Sequence, residues 1–321
     1  MKTLLVIGGS GFFGKSILDA FSRGLLDPWQ VSKIIVMARN AEALLDEAPN
    51  LVGKNVELYS ADITKTDLLP SADYVIHAAA STDVRDYLTR PENEKRNIQA
   101  GAYHYCDLAK KYHKESKIVY VSSGAVYGKQ PDNLDRLQET FIPDNWDNMD
   151  TGKIDYALAK KDAENAIVQL GFDGLKVSIA RCFAFVGPWL PRDQHFAIGN
   201  FMDNILKKTP IIVKANHRVY RSYMYADDLV EWLMTIVEHA SAECPIYNVG
   251  SDEGVMLGDL AEKLALSYGI TADVNKITVD KIDRYIPSVD KVTRTLGLQL
   301  KYDLDLAVKK TIENICLKQL S

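Results

Sequence analysis

The sequence predicts an α/β protein built on a doubly wound parallel sheet, and three observations point to this class. Short apolar runs alternate with segments of helical periodicity through the first half of the chain. The runs are apolar on both faces, as strands are in a parallel sheet that helices cover on both sides. A glycine-rich turn lies between the first run and the first helical segment. The C-terminal part is less regular and predicts a small cap on this core.

Each predicted strand is a short apolar run bounded by turn residues or charges. In chain order the predicted strands cover 3–8, 33–38, 56–60, 74–79, 117–123, 175–180 and 245–250. Helical spacing of apolar residues predicts helices at 13–21, 92–113, 156–170, 197–208, 258–268 and 303–318. Residues 182–196 have two prolines and little periodicity, which predicts a loop. We therefore expect a core formed by 1–181 and 219–252 and a cap formed by 182–218 and 253–321.

The bulk composition argues against several classes of protein. Of the 321 residues, 47% are hydrophobic and 25% are charged, as in ordinary soluble globular proteins. The net charge of -5 provides no basic field for nucleic acid or for an anionic membrane. The N-terminal apolar run is too short for a signal peptide, and no run approaches the ~18 apolar residues that span a bilayer. The four scattered cysteines contain no CxxC pair and predict neither disulfides nor a metal site, so we expect a cytoplasmic protein.

The turn after the first strand has the spacing of a dinucleotide-binding loop. Its glycines satisfy both GxxGxxG and GxGxxG, and the turn joins a strand to a helix. In that context, backbone N–H groups and the positive end of the helix dipole face a pyrophosphate. The alternative is a tight turn without a ligand. The residues predicted to bind the cofactor here are Gly8, Ser10, Gly11, Phe12, Phe13 and Gly14.

The residues after the second strand indicate which dinucleotide binds. An acid there would bind a ribose 2′-hydroxyl, whereas an arginine favours a 2′-phosphate. The sequence has Arg39 and Asn40, which predicts NADP, with NADPH preferred over NADH; the alternative is a surface arginine at a strand end. Asp62, beside Ile63, is expected to meet the adenine amine. Small residues at the end of the strand at 74–79 are expected to line the nicotinamide, namely Ala78, Ala79 and Ala80.

A tyrosine and a lysine share one face of the predicted helix at 156–170. Tyr156 and Lys160 stand four residues apart, a little over one helical turn. Alone, such a pair is most simply a packed tyrosine beside a solvated lysine. The chain also contains GGSGFFG, HAAA, SSGAVYG, FVGP and RSYMYADDL. With these motifs, the pattern resembles the extended short-chain dehydrogenase/reductase family, and more narrowly its nucleotide-sugar epimerases, dehydratases and ketoreductases.

This resemblance implies a dinucleotide-binding (Rossmann) core and assigns chemical roles to residues. Tyr156 is expected to donate or accept the proton, and Ser123 to hydrogen-bond the reacting oxygen. Lys160 is expected to lower the pKa of Tyr156 from its usual value of about 10 and to hold the nicotinamide ribose. Asn97, in the helix after the strand at 74–79, matches a cofactor-binding position of the family.

The residues after Ser123 favour one reaction of that family. The 4,6-dehydratases have Thr-Asp-Glu where this chain has Ser123, Gly124 and Ala125, so dehydration is not expected. The GDP-fucose synthase type has a cysteine at the position of Gly124, and its histidine matches His195. With NADPH, the resemblance implies 4-ketoreduction of a nucleotide-linked 6-deoxy-4-ketohexose, in deoxysugar biosynthesis for surface polysaccharide. A C4 epimerase with tightly bound NAD(P) and a non-catalytic NADP sensor remain as alternatives.

The resemblance also implies that the cap binds a nucleotide-diphosphate sugar. Arg221 and Arg284 match arginines that contact the diphosphate, although each could instead form a surface ion pair. The segment 189–201 is expected to close over the nucleotide, with Phe196 or Trp189 stacked on its base. The predicted substrate contacts are Ser123, Gly124, Ala125, Ala184, His195, Phe196, Asn200, Arg221 and Arg284.

Members of this family commonly dimerise through two helices, which correspond here to 92–113 and 156–170. A homodimer is therefore expected. The residues that could supply an apolar dimer surface, or could instead pack in the core, are Ala157, Ala163, Ala166, Ile167 and Leu170.

Overall fold

A computed structural model shows one central sheet of seven parallel strands. The structure describes residues 1–80, 91–143, 146, 151–192, 194 and 196–320. The strands of this sheet are β1 (Lys2–Ile7), β2 (Val31–Ala38), β3 (Val56–Ser60), β4 (Tyr74–His77), β5 (Lys117–Ser123), β6 (Lys176–Cys182) and β11 (Ile246–Val249). Their order is β3-β2-β1-β4-β5-β6-β11. The order changes direction between β1 and β4, where sheets of this kind bind ligands beyond the carboxyl ends of their strands.

Helices cover both faces of the sheet. The described helices are α1 (Phe12–Ser22), α2 (Leu44–Glu47), α3 (Pro91–Tyr112), α4 (Thr151–Phe172), α5 (Ala197–Lys207), α6 (Ala226–Glu238), α7 (Leu257–Tyr268), α8 (Asp290–Leu296) and α9 (Leu304–Leu320). Alternate residues of β1 face opposite cores, as successive strand side chains must. Leu4 and Val6 pack with α1 and α6, whereas Leu5 and Ile7 pack with α3 and α4. The predicted doubly wound α/β fold is confirmed.

The cap contains three small sheets and its own hydrophobic core. Its strands are β7 (Phe185–Val186), β8 (Ile211–Val213), β9 (Arg218–Arg221), β10 (Met224–Tyr225), β12 (Val255–Met256), β13 (Ala272–Val274) and β14 (Ile282–Tyr285). They pair as β10-β7, β13-β8 and β12-β9-β14. The core of the cap lies between α5, α7 and α9. No helix in the described ranges is both long enough and apolar enough to cross a bilayer.

The structure differs from the sequence-based expectations in several places. The segment predicted as a loop, 182–196, contains the short strand β7. Helices α2, α6 and α8 were not predicted, and neither were the short strands of the cap. The predicted core boundary at 219 falls inside β9, which pairs with the cap strands β12 and β14.

A further difference concerns the expected dimer surface on α4. Ala157, Ala163, Ile167 and Leu170 are at most 1% exposed within this single chain, and Ala166 is partly buried. All but Ala157 belong to the hydrophobic core between α4 and the sheet. These five residues therefore fill the interior of the chain and do not form an open apolar face.

Candidate active site

The glycine turn after β1 depends on two close backbone approaches. Gly8 has a φ of +86°, and a Cβ there would lie 2.7 Å from the backbone of Ala79. A Cβ on Gly14 would lie 2.0 Å from the carbonyl oxygen of Gly9, because α1 packs directly against the turn. Larger residues would separate β1 from the end of β4 or lift α1 away. The turn therefore requires glycine at both positions.

The same turn presents backbone donors at the start of α1. Gly11 precedes the helix and is exposed, and no side chain caps the helix at this position. The first turn of α1 has no acidic residue. A pyrophosphate fits here, because its charge would meet unsatisfied N–H groups and the positive end of the helix dipole. Ser10 is partly buried in the turn, and Phe12 and Phe13 lie against the ring of Phe185, at centroid distances of 6.1 and 5.6 Å.

The end of β2 carries an exposed arginine. Arg39 and Asn40 both follow the strand with exposed side chains, and no described residue forms a hydrogen bond or ion pair with Arg39. Burial would raise the pKa of Asp62, but hydrogen bonds from Thr64 and nearby positive charges, including Arg39, lower it. Ile63 is buried beside it. The structure therefore gathers a guanidinium and a carboxylate at the edge where an adenosine would lie.

Small side chains follow β4 beside the glycine turn. Ala78, Ala79 and Ala80 are partly buried, and the turn at Gly8 fits against the backbone of Ala79. The close approach places only the backbone of Ala78 and Ala79 against Gly8. Asn97, by contrast, is exposed on α3, and no contact within the described ranges joins it to these alanines.

Tyr156 on α4 meets Ser123 at the end of β5. The hydroxyl oxygen of Ser123 accepts the N–H of Ala125 at 3.1 Å. Burial raises the pKa of Tyr156 to about 12, although the nearby hydroxyl of Ser123 opposes this. The sequence predicted a pKa lowered by Lys160, whereas in the structure burial dominates. We call Ser123, Tyr156 and Lys160 the reaction centre.

Lys160 is buried one turn further along α4. Its Nζ donates to the carbonyl oxygen of Val121 at 2.9 Å and to the hydroxyl of Tyr120 at 3.4 Å, both on β5. Burial lowers the pKa of Lys160 to about 8, although nearby Cys182 and Glu94 partly offset this. With two acceptors in place, a protonated amine keeps a third N–H for another partner.

Glu164 lies on the same face of α4, and sequence analysis missed it. It accepts the hydroxyl of Ser122 at 2.7 Å and two bonds from the guanidinium of Arg181 on β6, at 2.9 and 2.7 Å. Burial alone would lower the pKa of Arg181, but its bonds and charge interaction with Glu164 raise it. These contacts fix α4 against β5 and β6 and so position Tyr156 and Lys160. The spacing of four residues from Lys160 is a signal that could have indicated Glu164.

Strands β9 and β14 place the two predicted arginines on different faces. Arg221 is in register with Tyr285, and its guanidinium donates to the carboxylate of Asp283 at 2.9 Å. Arg284 points away from Tyr285, because neighbouring residues of a strand alternate. Its guanidinium lies 5.3 Å from the ring centroid of Tyr220. It lines a surface cleft of about 550 Å³ that contains none of the reaction centre. The structure therefore brings Arg221 to the site and leaves Arg284 outside it.

Tyr285 enters the site from the cap, and sequence analysis did not identify it. A Cβ added to Gly124 would lie 2.6 Å from the hydroxyl oxygen of Tyr285. The ring of Tyr285 lies against Phe183, with centroids 4.6 Å apart. Gly124 is buried, whereas Ala125 and Ala184 are partly buried in the adjoining turns. Two distant parts of the chain thus meet at the residue that follows Ser123.

The other predicted substrate contacts lie around the start of α5. Phe196 precedes this helix and packs against the core of the cap. The side-chain amide of Asn200 donates to the carbonyl oxygen of Gln194 at 2.8 Å and so holds the incoming loop. His195 lies outside the described residues.

The fold and the site together define a class of protein. This protein combines a doubly wound sheet, a glycine turn at the switch point of that sheet, and a Ser–Tyr–Lys reaction centre two strands away. Extended short-chain dehydrogenases/reductases have the same combination. The model of the NAD dependent epimerase/dehydratase family matches residues 4–250. The chain belongs to this family of NAD(P)-dependent nucleotide-sugar enzymes.

Individual relatives agree with this assignment. UDP-glucuronate 4-epimerase 4 of Arabidopsis thaliana is 26% identical, over 97% of this chain and 74% of its own. UDP-glucuronic acid decarboxylase 1 of the same plant is 25% identical, over 94% of this chain and 67% of its own. The solved UDP-glucose 4-epimerase of Thermotoga maritima has a TM-score of 0.79 and 21% identity, and the match covers 99% of this chain and 100% of that one. At that identity, the structural likeness establishes the fold.

Proposed function

We propose that this protein uses NADPH to reduce the 4-keto group of a nucleotide-linked 6-deoxy-4-ketohexose. The observation that carries the proposal is the exposed guanidinium of Arg39 at the end of β2, without an ion-pair partner among the described residues. A guanidinium in this place suits the 2′-phosphate of NADP and would leave the ribose hydroxyl of NAD without its usual acidic partner. NADPH is the reductant of biosynthetic reactions, so a site selective for it favours net reduction.

The reaction centre has the groups that such a reduction needs. The bound cofactor supplies a hydride to the ketone carbon. Tyr156 gives its phenolic proton to the ketone oxygen, and Ser123 donates a hydrogen bond to that oxygen as negative charge develops on it. Lys160, held at Val121 and Tyr120, offers its remaining N–H to the ribose of the cofactor. The product is the 4-hydroxy sugar.

Two features of the site argue against elimination of water. Position 124 is a glycine, and the hydroxyl of Tyr285 and the ring of Phe183 occupy the space beside it. Ala125 has no ionisable side chain. The site therefore has no acid and base at these two positions to act on neighbouring sugar carbons.

The experiment that tests the proposal is a set of NADPH-consumption assays with nucleotide-linked 4-keto-6-deoxyhexoses. We expect consumption of NADPH in preference to NADH, and formation of the 4-hydroxy sugar. Tyr156→Phe should lower kcat by about 100-fold or more, because it removes the general acid, while NADPH still binds. Tyr220→Phe, which makes the same chemical change outside the site, should leave kcat unchanged. If none of these sugars is reduced, the reductase proposal is wrong.

A second function, C4 epimerisation of a nucleotide sugar, is favoured by the names of the relatives. Both the Arabidopsis protein and the Thermotoga structure are described as 4-epimerases. The same reaction centre would serve it, with Tyr156 removing a proton and later returning one. The assays distinguish the two functions: an epimerase converts UDP-hexoses or UDP-hexuronates at C4 with no net change in the nicotinamide cofactor.

A further inference from the structure

An aspartate of the cap holds the guanidinium of Arg221. Asp283 lies two residues before Tyr285 and on the same face of β14, and the hydroxyl of Tyr285 lies beside Gly124. Nη2 of Arg221 donates to the carboxylate of Asp283 at 2.9 Å. Nη1 donates to the main-chain carbonyl oxygens of Tyr220 and Asp283, at 2.8 and 3.1 Å. Three acceptors therefore fix both terminal nitrogens of this guanidinium.

These bonds leave part of the guanidinium available. An arginine has five N–H donors in a planar fork. Three of the donors of Arg221 are used by Tyr220 and Asp283, and no other residue in the described ranges accepts from the remaining two. A phosphate that binds an arginine bidentately needs two N–H groups. The pairing with Asp283 is therefore compatible with a phosphate on the same guanidinium.

The charge of Asp283 would by itself disfavour an anion at this place. Its side chain is 40% exposed and that of Arg221 is 25% exposed. Burial would raise the pKa of Asp283, but the hydrogen bond and charge of Arg221, with the charges of Lys153 and His217, lower it. An ionised carboxylate repels a diphosphate that binds nearby. What Asp283 contributes to anion binding is therefore the orientation of Arg221.

We propose that Asp283 is a positioning residue for the substrate, which holds Arg221 so that its two remaining N–H groups bind the diphosphate of the nucleotide sugar. This inference rests on the proposed function, because that function supplies the diphosphate. Asp283 acts through Arg221 and does not touch the substrate. A long arginine side chain has many rotamers, so fixing it before the substrate arrives reduces the entropy lost on binding.

The test is the affinity of the NADP⁺-loaded protein for nucleoside diphosphates, measured by isothermal titration calorimetry. The probes are UDP, dTDP, GDP and CDP, and the one that binds wild type most tightly is used for all variants. Asp283→Ala should weaken binding about tenfold, the equivalent of one hydrogen bond, because the guanidinium is no longer fixed. Asp283→Asn keeps an oxygen that accepts from Nη2 and should remain within about threefold of wild type.

Three results would contradict the proposal. Unchanged or tighter binding by Asp283→Ala would show that the carboxylate only repels the anion. Equal losses in Asp283→Ala and Asp283→Asn would show that a retained acceptor does not position Arg221. Failure of all four diphosphates to bind wild type would show that no diphosphate site exists here.

Two controls separate positioning from a general effect on the fold. Asp280 forms an exposed ion pair with Arg218 at the start of β9, and Asp280→Ala should leave the affinity unchanged. In the background of Arg221→Ala, Asp283→Ala should cause no further loss, because Asp283 acts through Arg221. Losses that add fully would overturn the proposal. Unfolding temperatures measured with NADP⁺ show whether each variant is folded.

The calorimetry separates this inference from the proposed function, because a nucleoside diphosphate has no ketone. If 4-keto sugars are not reduced but Asp283→Ala weakens nucleotide binding, the reductase proposal fails and the positioning role stands. Where reduction is observed, Asp283→Ala should raise the KM for the sugar about tenfold and leave kcat unchanged. A fall in kcat with an unchanged KM would place Asp283 in the chemical step and overturn the positioning role.

Discussion

Arg221 and Arg284 lie on adjacent strands of one small sheet, offset by one residue in register, and their side chains have different surroundings. Arg221 is in register with Tyr285, on the face of β14 that meets the reaction centre, and it is paired with Asp283. Arg284 lies over Tyr220 and lines a surface cleft. In the proposed function, only the first guanidinium would meet the diphosphate of the substrate. The alternation of strand side chains decides this difference.

The two arginines therefore make a matched pair for mutation. Arg221→Ala should raise the KM for the nucleotide sugar by about 10- to 100-fold, since a charge-assisted hydrogen bond contributes roughly 1.5–3 kcal/mol. Arg284→Ala should leave the KM nearly unchanged. Steady-state kinetics at saturating NADPH measure both values. Equal effects of the two substitutions would show that the substrate does not lie on the Arg221 face.

At the scale of single elements, helix α4 presents three residues of the candidate site on one of its faces. Tyr156, Lys160 and Glu164 recur at intervals of four residues, so the helix presents them on one face toward β5 and β6. The first two residues would serve the chemistry in the proposed function, and the third anchors the helix through Ser122 and Arg181. Both partners of the ion pair are at most 4% exposed in their side chains. The precision of the reaction centre therefore depends on a buried charge pair behind it.

We expect Glu164→Gln to reduce the free energy of unfolding by roughly 3–5 kcal/mol, because it leaves the Arg181 guanidinium buried without its countercharge. Urea unfolding, followed by circular dichroism, measures this loss. The control is Glu313→Gln on α9, which removes the exposed pair with Lys309 and should cost less than about 1 kcal/mol. A similar small cost for Glu164→Gln would mean that the buried pair does not anchor α4.

Helices α4 and α6 show why some elements were predictable and others were not. In α4 the motif and its spacing identified Tyr156 and Lys160 from the sequence. In helix α6, Glu231, Thr235 and Glu238 are partly exposed at helical spacing on an otherwise buried helix, so the sequence carried a helical signal that the prediction missed. The cap strands span two to four residues, too few to show an alternating pattern. Tyr285 reaches Gly124 only through the pairing of such strands, which no local sequence pattern records.

At the scale of the whole molecule, the sheet is held between two hydrophobic cores, and one of them surrounds a histidine. His77 ends β4 and is 1% exposed, with the rings of Tyr105 and Tyr120 at 4.9 and 5.4 Å. Burial, reinforced by the charge of Lys160, lowers the pKa of His77 to about 3. The folded protein therefore keeps His77 neutral at pH values where the unfolded chain binds a proton.

This difference predicts how stability depends on pH. The contribution of neutral His77 is fully present above the unfolded pKa of about 6.5 and is lost as the pH falls toward 3, by about 1.4 kcal/mol per pH unit. His77→Phe keeps an aromatic ring between the tyrosines and should make the fall in stability between pH 6 and 4 shallower by about that slope. The exposed His239→Phe is the control. Urea unfolding at several pH values measures both, and parallel curves for His77→Phe and wild type would contradict the assignment.

The meeting of β14 with the turn after β5 has a consequence for engineering. Arg221 and Tyr285 are paired on one small sheet, so the C-terminal third of the chain supplies side chains beside the turn that follows β5. A chimera that exchanges this third between relatives would also change the residue whose hydroxyl lies beside Gly124. In such a chimera, Gly124 and Tyr285 should therefore come from the same parent protein.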